Sequence, residues 1–348
     1  MGCGNERNVP AMRTVVSRKD VEPPRVRPVA LALGDVHLRS DRPECRTDEW
    51  WPTFCRKLDW LQALHLDLSR DAGYRVPVLG PGDLFHRWNS PPEVITAAIE
   101  RLPGPLILVP GQHDLPQHSL PLLIKSALRT FLVARPDAHL LIGGDAAQVG
   151  EGGCGMATRV IGWGWDAGDA WPPPIPPMKD AFTIILTHRL IRNPGDGLPR
   201  DAGGTDAART LAAAPGADAV VSGDNHARFL AQRCGRWLIN AGGFVRCSTA
   251  QLSHRPAVAI LWRTAEGGLD VEWREVPIED GVISVDHVER AAAHEERVRA
   301  FAEALAAPVD GGEATELDFE RLAQLMMRRS GLTDEARAVV RSALEETR

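Results

Sequence analysis

The sequence predicts an α/β fold in which two sheets pack face to face between flanking helices, with a helical appendage at the C-terminal end. Three observations predict it. Strand-sized apolar runs alternate with helical patterns from Val29 onward, polar residues cluster just after the strands end, and beyond residue 139 short strands and turns take over.

The first strand reads Val29–Leu33. A helix follows from Trp50 to about Arg70, with Phe54, Leu58, Leu61, Leu64 and Leu68 at helical spacing, and then a strand at Val76–Leu79. Pro92 opens a second helix to Arg101, since proline's fixed φ suits a first helical turn. Leu106–Val109 is a buried strand and Leu120–Val133 a third helix. Strands are then expected at Leu140–Ile142, Thr158–Gly162, Phe182–Leu186, Ala219–Val221, Trp237–Ile239, Ala257–Trp262 and Leu269–Val276, as a second sheet packed on the first. The proline-rich Trp171–Pro177 and the Gly- and Asp-rich Asn193–Asp206 read as connectors. From Ser284 the pattern is helical: Ala291–Ala307, a segment opened by the capping box Thr315-Glu316-Leu317-Asp318, and Thr333–Glu346. The expected organisation is a disordered leader over 1–27, a catalytic domain over 28–280 and a helical module over 284–348.

Bulk properties narrow the function. The 348 residues, 44% hydrophobic and 25% charged, suffice for one large domain and a small appendage. No apolar run approaches the ~20 residues of a membrane span, so no membrane contact is expected. The start Met1-Gly2-Cys3-Gly4 lacks the Ser or Thr that a myristoylation site needs at position 6, where Glu stands, and Met12 is an alternative start. Cys3, Cys45, Cys55, Cys154, Cys234 and Cys247 show no C-x-x-C spacing, which points away from zinc fingers and disulfide frameworks and toward reduced thiols in the cytoplasm. The net charge of −6 argues against wholesale coating of nucleic acid but allows a local basic strip.

The chemistry lies in Gly34-Asp35-Val36-His37, Gly82-Asp83-Leu84-Phe85-His86, Gly111-Gln112-His113-Asp114, Thr187-His188 and Gly223-Asp224-Asn225-His226, each after an apolar strand. Open α/β sheets bind ligands outside the carboxyl ends of their strands, which is where these segments fall. Glycine before the acidic residue is expected to allow a sharp turn, and a D-x-H pair in extended chain would put both side chains on one face. Mixed carboxylate and imidazole donors suit Mn²⁺, Fe²⁺ or Zn²⁺ better than Mg²⁺ or Ca²⁺.

Taken in order, these segments resemble the calcineurin-like metallophosphoesterases, whose pattern runs D-x-H, G-D-x-x-(D/H), G-N-H-(D/E), H, G-H-x-H, and the resemblance spans roughly residues 29 to 245. It implies two divalent cations ~3.5–4 Å apart, with a bridging hydroxide that attacks a phosphoester. It assigns Asp35, His37 and His226 to the first metal, Gln112, His188 and Asp224 to the second, and Asp83 as a bridge, with Asp35 able to touch both. His113 would be a general acid at the leaving oxygen, and Asp114 would orient its imidazole. Asn240-Ala241-Gly242-Gly243 matches the family's closing turn, which holds the last ligand loop. Two positions depart from the pattern. Gln112 stands for Asn, and Asp224 replaces the first His of G-H-x-H, which makes the second site harder and more Mn²⁺-like.

G-D-L-F-H, ending in His86, resembles the SbcD-type DNA repair nuclease subunits, as do the loops Leu38–Thr47 and Arg87–Pro92, which look like a phage or prophage branch. That resemblance implies a manganese-dependent DNA exo- and endonuclease. His86 would contact the scissile phosphate or help position the DNA strand, Arg39, Arg42, Arg46 and Arg87 would contact the DNA backbone, and an SbcC-like ABC-type ATPase would dock on the C-terminal helices. A homodimer also fits that pattern. A phosphatase, or a nucleotide or small-molecule phosphodiesterase, shares the same metal chemistry, and a non-catalytic binding subunit is the alternative outside enzymes.

Overall fold

Residues 13–14, 24–149, 157–165, 175–176, 178, 181–198, 201 and 203–306 are described by a computed structural model. The chain enters through β1 (Arg13–Thr14) and β2 (Arg25–Ala32). β2 ends in consecutive buried residues without alternation, the pattern of a strand covered on both faces. α1 (Trp50–Ala72) crosses to β3 (Val78–Gly80), α2 (Pro92–Arg101) to β4 (Leu106–Leu108), and α3 (Ala127–Ala134) to β5 (Ala138–Leu140). These helical crossovers make β2, β3, β4 and β5 parallel neighbours in that order.

β6 (Ala146–Val149), β7 (Ala157–Trp163) and β8 (Ala181–Thr187) begin a second sheet. β9 (Ile191–Arg192) and β10 (Thr205–Asp206) form a separate two-stranded ladder, and Asp206 then caps α4 (Ala207–Ala213) by accepting from the Ala208 and Arg209 N–H groups. β11 (Ala219–Ser222), β12 (Phe229–Arg233) and β13 (Arg236–Asn240) complete the second sheet, in the order β1-β12-β13-β11-β8-β7-β6. β14 (Ala257–Thr264) and β15 (Leu269–Glu275) return to the first, whose order is β15-β14-β2-β3-β4-β5.

Three apolar layers follow from this stacking. Ala30, Ala32, Leu79, Ile107, Ala259 and Leu261 meet Ile184, Leu186, Val221 and Ile239 between the sheets. Leu31, Val78, Leu106, Val258 and Ile260 face Phe54, Leu58, Leu61, Val94 and Phe131 of the helices. Ile185, Val220 and Leu238 cover Ala207 and Leu211 of α4 on the far side. The two-sheet sandwich flanked by helices is therefore the observed fold.

Some expectations change. β5, β14 and β15 lie in the first sheet rather than the second. β14 is apolar on both faces, so it is most fully buried in the middle of a layer, and it pairs antiparallel with β2. The helix expected over Leu120–Val133 is divided: Leu120–Lys125 is a 3-10 turn, and Ser126 breaks it at φ −96° and ψ 158°. The Ser126 hydroxyl accepts from the Arg129 N–H and so starts α3 afresh. β2 opens at Arg25, inside the expected leader, where the guanidinium pairs with Asp270 at 3.0 Å and Glu272 at 2.9 Å. β12 and α4 were not anticipated from the sequence.

The chain divides after Ser284 into two compact units, and the described part of the second is α5 (Asp286–Ala306). The helices expected at Thr315–Asp318 and Thr333–Glu346, the leader outside residues 13–14 and 24–27, and Trp171–Pro177 except Ile175 and Pro176 lie outside the described residues. No helix among the described residues is long and apolar enough to cross a membrane.

Candidate metal centre

The loops that follow β2, β3, β4, β8, β11 and β13 meet at one edge of the sandwich. The Asp35 N–H donates to the Gly242 carbonyl at 3.0 Å, and the Asp35 carbonyl accepts from Phe244 at 2.9 Å. On the other side the His37 N–H donates to the Asp83 carbonyl at 2.9 Å. The D-x-H segment is thus stitched to two neighbouring loops. The Asn240-Ala241-Gly242-Gly243 turn serves as its anchor, and Asn240 Oδ1 fixes the Gly242 N–H at 2.8 Å.

The extended geometry expected for D-x-H is corrected here. β2 ends at Ala32, and His37 takes a left-handed φ of 48°, as do Asp83 at 48° and Asp224 at 70°. The motif glycines act by giving room, and Gly82 also by a left-handed φ of 110°, the sharp turn expected before Asp83. A Cβ on Gly34 would stand 1.8 Å from the Gly242 carbonyl oxygen, so only glycine lets these loops touch.

At the centre, His37 Nε2 lies 3.1 Å from His226 Nε2, and His226 Nε2 lies 3.5 Å from Asp35 Oδ2. Asp83 Oδ2 is 3.7 Å from His37 Nε2 and 3.4 Å from His188 Nε2, while Asp35 Oδ1 is 3.8 Å from His188 Nδ1. Asp35 and Asp83 therefore stand between the two histidine sets. Gln112 and Asp224 complete the group: the Gln112 amide donates to Asp224 Oδ1 at 2.9 Å, and the Asp224 N–H donates to Asp35 Oδ2 at 2.9 Å. The structure brings all seven expected ligands together.

Burial sets their charges. It pushes the Asp35 carboxyl well above its ordinary range, with Asp83 and Asp224 adding to the shift. It lowers His37 to about 3, so that ring is a neutral donor near neutral pH, and the partial burial of His226 lowers it as well. Burial also pushes Asp83 upward, but the cationic His188 beside it outweighs that and holds its carboxyl well below the usual carboxylate range. His188 is lowered by burial and raised more strongly by Asp83 and Asp35, to about 10. The buried carboxylates thus call for positive charge, which a proton on His188 supplies in the protein alone.

The donor set fits divalent cations. Asp35 Oδ1, Gln112 Oε1 and His188 Nε2 are buried and have no hydrogen-bond partner among the described residues. His188 Nδ1 is engaged with the Pro81 carbonyl at 2.7 Å, which leaves Nε2 as the ligating atom. Asp35, His37 and His226 by themselves form a cluster compact enough for one ion, and so do His37, His86 and His113.

His113 is oriented by the chain rather than by Asp114. Its Nδ1 lies 2.9 Å from the His86 carbonyl, so Nε2 faces the centre, 4.0 Å from Asp83 Oδ2. The Asp114 carboxylate is buried and accepts from the N–H groups of Leu84, Phe85 and Gly111 at 3.3, 3.0 and 3.1 Å. It fastens the loops, and the expectation that it orients His113 is corrected. Burial with Asp83 nearby raises it to about 7. His86 stacks on His113 with ring centroids 5.7 Å apart and planes 15° from parallel, and burial with Arg39 nearby lowers it to about 4.

The four arginines separate. Arg46 is buried, forks onto Asp48 at 2.8 and 2.7 Å, and lies over the Trp50 ring at 5.1 Å, so it braces the loop and is withdrawn from substrate. Arg39 grips Asp41, and Arg87 is exposed with the same carboxylate at 3.8 Å. Arg42 is exposed. The signal for Arg46 was present as Arg-x-Asp, since Arg39 with Asp41 and Arg135 with Asp137 form the same fork. The carbonyls of Pro81 and His86, which aim His188 and His113, were not found by sequence reading.

Comparison with known proteins gives one family. The profile described as calcineurin-like phosphoesterase matches residues 29–228, a span that contains every ligand named above. No curated protein matches the chain. Solved structures similar to it include a phosphopantetheinyl hydrolase from Mycobacterium tuberculosis, at 13% identity and a TM-score of 0.41, over 73% of this chain and 97% of that one. A 5'-nucleotidase from Candida albicans SC5314 is 11% identical with a TM-score of 0.41, over 76% of this chain and 57% of that one. An archaeal phosphodiesterase is 13% identical with a TM-score of 0.35, over 70% and 99%.

Proposed function

The chain belongs to the calcineurin-like phosphoesterase family, and from that premise we infer that it is a metal-dependent phosphoester hydrolase acting on the diester bonds of DNA, with Mn²⁺ as its ion. The convergence of Asp35, His37, Asp83, His188 and His226 within 4 Å contacts carries the hydrolase reading. Two bound cations would polarise the phosphoryl group, activate water and neutralise developing charge. Asp35, His37 and His226 would hold one, Gln112, His188 and Asp224 the other, with Asp83 between them. Asp224 in place of histidine adds a carboxylate oxygen, which favours manganese over zinc.

The remaining steps fall to side chains on the open face. With Nδ1–H given to the His86 carbonyl, His113 presents Nε2 to the leaving oxygen and, when the ring is protonated at both nitrogens, would deliver the Nε2 proton there and be left neutral. His86 keeps the ring in plane by stacking. The side chains of His113 and His226 are 40% and 47% exposed, whereas Asp35, Asp83 and His188 are buried, so a polymer can approach the centre from one side. Arg42 and Arg87 are exposed on adjoining loops and suit backbone phosphates. The G-D-L-F-H segment and these loops support the SbcD-type branch, and that reading includes DNA, an ABC-type ATPase on residues 284–348 and a homodimer as partners.

A second reading keeps the chemistry and shrinks the substrate to a nucleotide or small diester. Asp41 favours it, because it offsets both Arg39 and Arg87 and shortens the basic strip. The test is hydrolysis of linear duplex DNA and of bis(p-nitrophenyl) phosphate with Mn²⁺, side by side, for wild type and His113→Ala. Loss of DNA cleavage in the variant supports the nuclease. Diester turnover with intact DNA moves the assignment to a small phosphodiester, and turnover of neither substrate would favour a non-catalytic subunit. Capture of a co-encoded ATPase by the full chain but not by one ending at residue 284 tests the partner.

A further inference from the structure

We propose that the exposed Trp165 indole, braced by His118, is the surface on which a nucleobase of the substrate stacks beside the metal centre. The inference rests on the phosphoester hydrolase reading above and names the group next to the scissile phosphate. Trp165 lies two residues beyond β7, whose last residue, Trp163, is in parallel register with Thr187 of β8. The Thr187 hydroxyl donates to the Trp163 carbonyl at 2.6 Å, and His188 follows directly in the chain. β7 therefore delivers Trp165 to the same carboxyl edge as the ligand loops.

The Gln112 loop holds it there. The Trp165 N–H donates to the carbonyl of Pro110, two residues before Gln112, at 3.1 Å. His118 Nδ1 donates to the Gln112 carbonyl at 3.1 Å, and its ring meets the indole with centroids 6.3 Å apart. Gln112 thus contacts Asp224 through its side chain and His118 through its main chain. A phosphate on the cations and a ring on Trp165 would flank this one residue.

Packing alone does not account for the two rings. Trp165 is 40% exposed and His118 is exposed, so neither fills a core. Gln117 and His118 both take left-handed backbones, at φ 52° and 55°, a conformation that side chains disfavour and that collects at ligand clamps. The ring planes are inclined by 55° rather than stacked face to face, so His118 braces the indole without covering it. An indole offers a π-face that any base can use, whereas a phosphate gains nothing from it. A mononucleotide and a DNA strand share that chemistry.

Calorimetric titration of the full chain with Mn²⁺ present tests this. The ligands are phosphonate analogues of thymidine 5′-monophosphate and of 2-deoxyribose 5-phosphate, in which CH₂ replaces the ester oxygen and prevents turnover. They differ in the base. The nucleotide analogue is expected to bind at least about tenfold tighter, within the range of one base–aromatic stack. Trp165→Ala should erase that preference and leave the affinity for the sugar phosphonate and the bound manganese unchanged, while Trp165→Phe should keep most of it. His118→Ala should weaken it. A phosphorothioate-linked oligothymidylate that loses affinity in Trp165→Ala along with the nucleotide analogue identifies a DNA strand as the source of the base. A loss confined to the nucleotide analogue identifies a nucleotide. Equal binding of the two analogues to wild type, or a preference that survives in Trp165→Ala, would overturn the proposal while the hydrolase reading stands. Loss of the sugar phosphonate and of manganese in Trp165→Ala would make the indole a brace for the Gln112 loop and overturn it as well. Binding of neither analogue would overturn both readings.

Discussion

His37 Nε2 and His226 Nε2 stand 3.1 Å apart although 189 residues separate them in the chain. Neutral imidazoles at this distance can share one N–H, and the same two nitrogens together with Asp35 form a cluster compact enough for a cation that each can ligate. His226→Ala should lower metal affinity by at least about tenfold, the smaller end of what even an outer-shell partner contributes. Metal analysis by plasma mass spectrometry after dialysis reads this directly, and an unchanged content would remove His226 from the site.

The position of His113 predicts a split between binding and chemistry. Its Nε2 faces the centre 4.0 Å from Asp83 Oδ2, and if it acts as the general acid rather than as a ligand, His113→Ala should leave bound metal unchanged. Cleavage of DNA should fall by about 10²–10⁴-fold, the usual size of a general-acid contribution. The loss should be smaller for bis(p-nitrophenyl) phosphate, whose leaving group needs no proton. Equal losses on both substrates would argue for a role in holding phosphate.

Asp114 tests structure against catalysis. Its carboxylate satisfies three backbone N–H groups in the loops after β3 and β4. Asp114→Ala should therefore destabilise the fold by at least about 1–3 kcal/mol, the cost of orphaning a single buried donor. Chemical denaturation measures it. A variant with wild-type stability and lost activity would restore Asp114 to the catalytic group.

Gly223 shows how little room the centre has. A Cβ there would lie 2.4 Å from Asp35 Oδ1 and 2.7 Å from His188 Nδ1. Gly223→Ala should displace both ligands and abolish tight metal binding, with an overpacking cost of about 1–3 kcal/mol. Retained stoichiometry in calorimetric metal titration would show that these loops yield more than their packing suggests.

The arginines should divide by burial. Arg46→Ala strands the Asp48 carboxylate and should lower the melting temperature. Arg42→Ala and Arg87→Ala should leave stability alone, weaken DNA binding across sequences, and each reduce the salt slope by about one. DNA affinity that is indifferent to both would favour the small-diester reading.

Much of this was legible because residue type carries the chemistry. Asp35, His37, Asp83, Gln112, His188, Asp224 and His226 were readable as one cluster through their resemblance to the family's motif order, and the alternation of strand and helix up to β5 followed from periodicity. The assignment of β14 and β15 to the first sheet was not, because a run apolar on both faces states that it is buried and not between which neighbours. The loop position of His37 was not either, since its left-handed backbone depends on a hydrogen bond to Asp83, which is distant in the chain.

The sequence by itself determined which atoms can ligate and in what order the chain delivers them, since both depend on composition and short-range pattern. The tertiary structure decided how those atoms are aimed and which charges face outward. The Pro81 and His86 carbonyls select the working nitrogens of His188 and His113, yet a carbonyl is common to every residue and leaves no mark in a sequence. Arg46 and Arg42 are the same residue four positions apart, and only packing over Trp50 and against Asp48 turns one inward and leaves the other exposed.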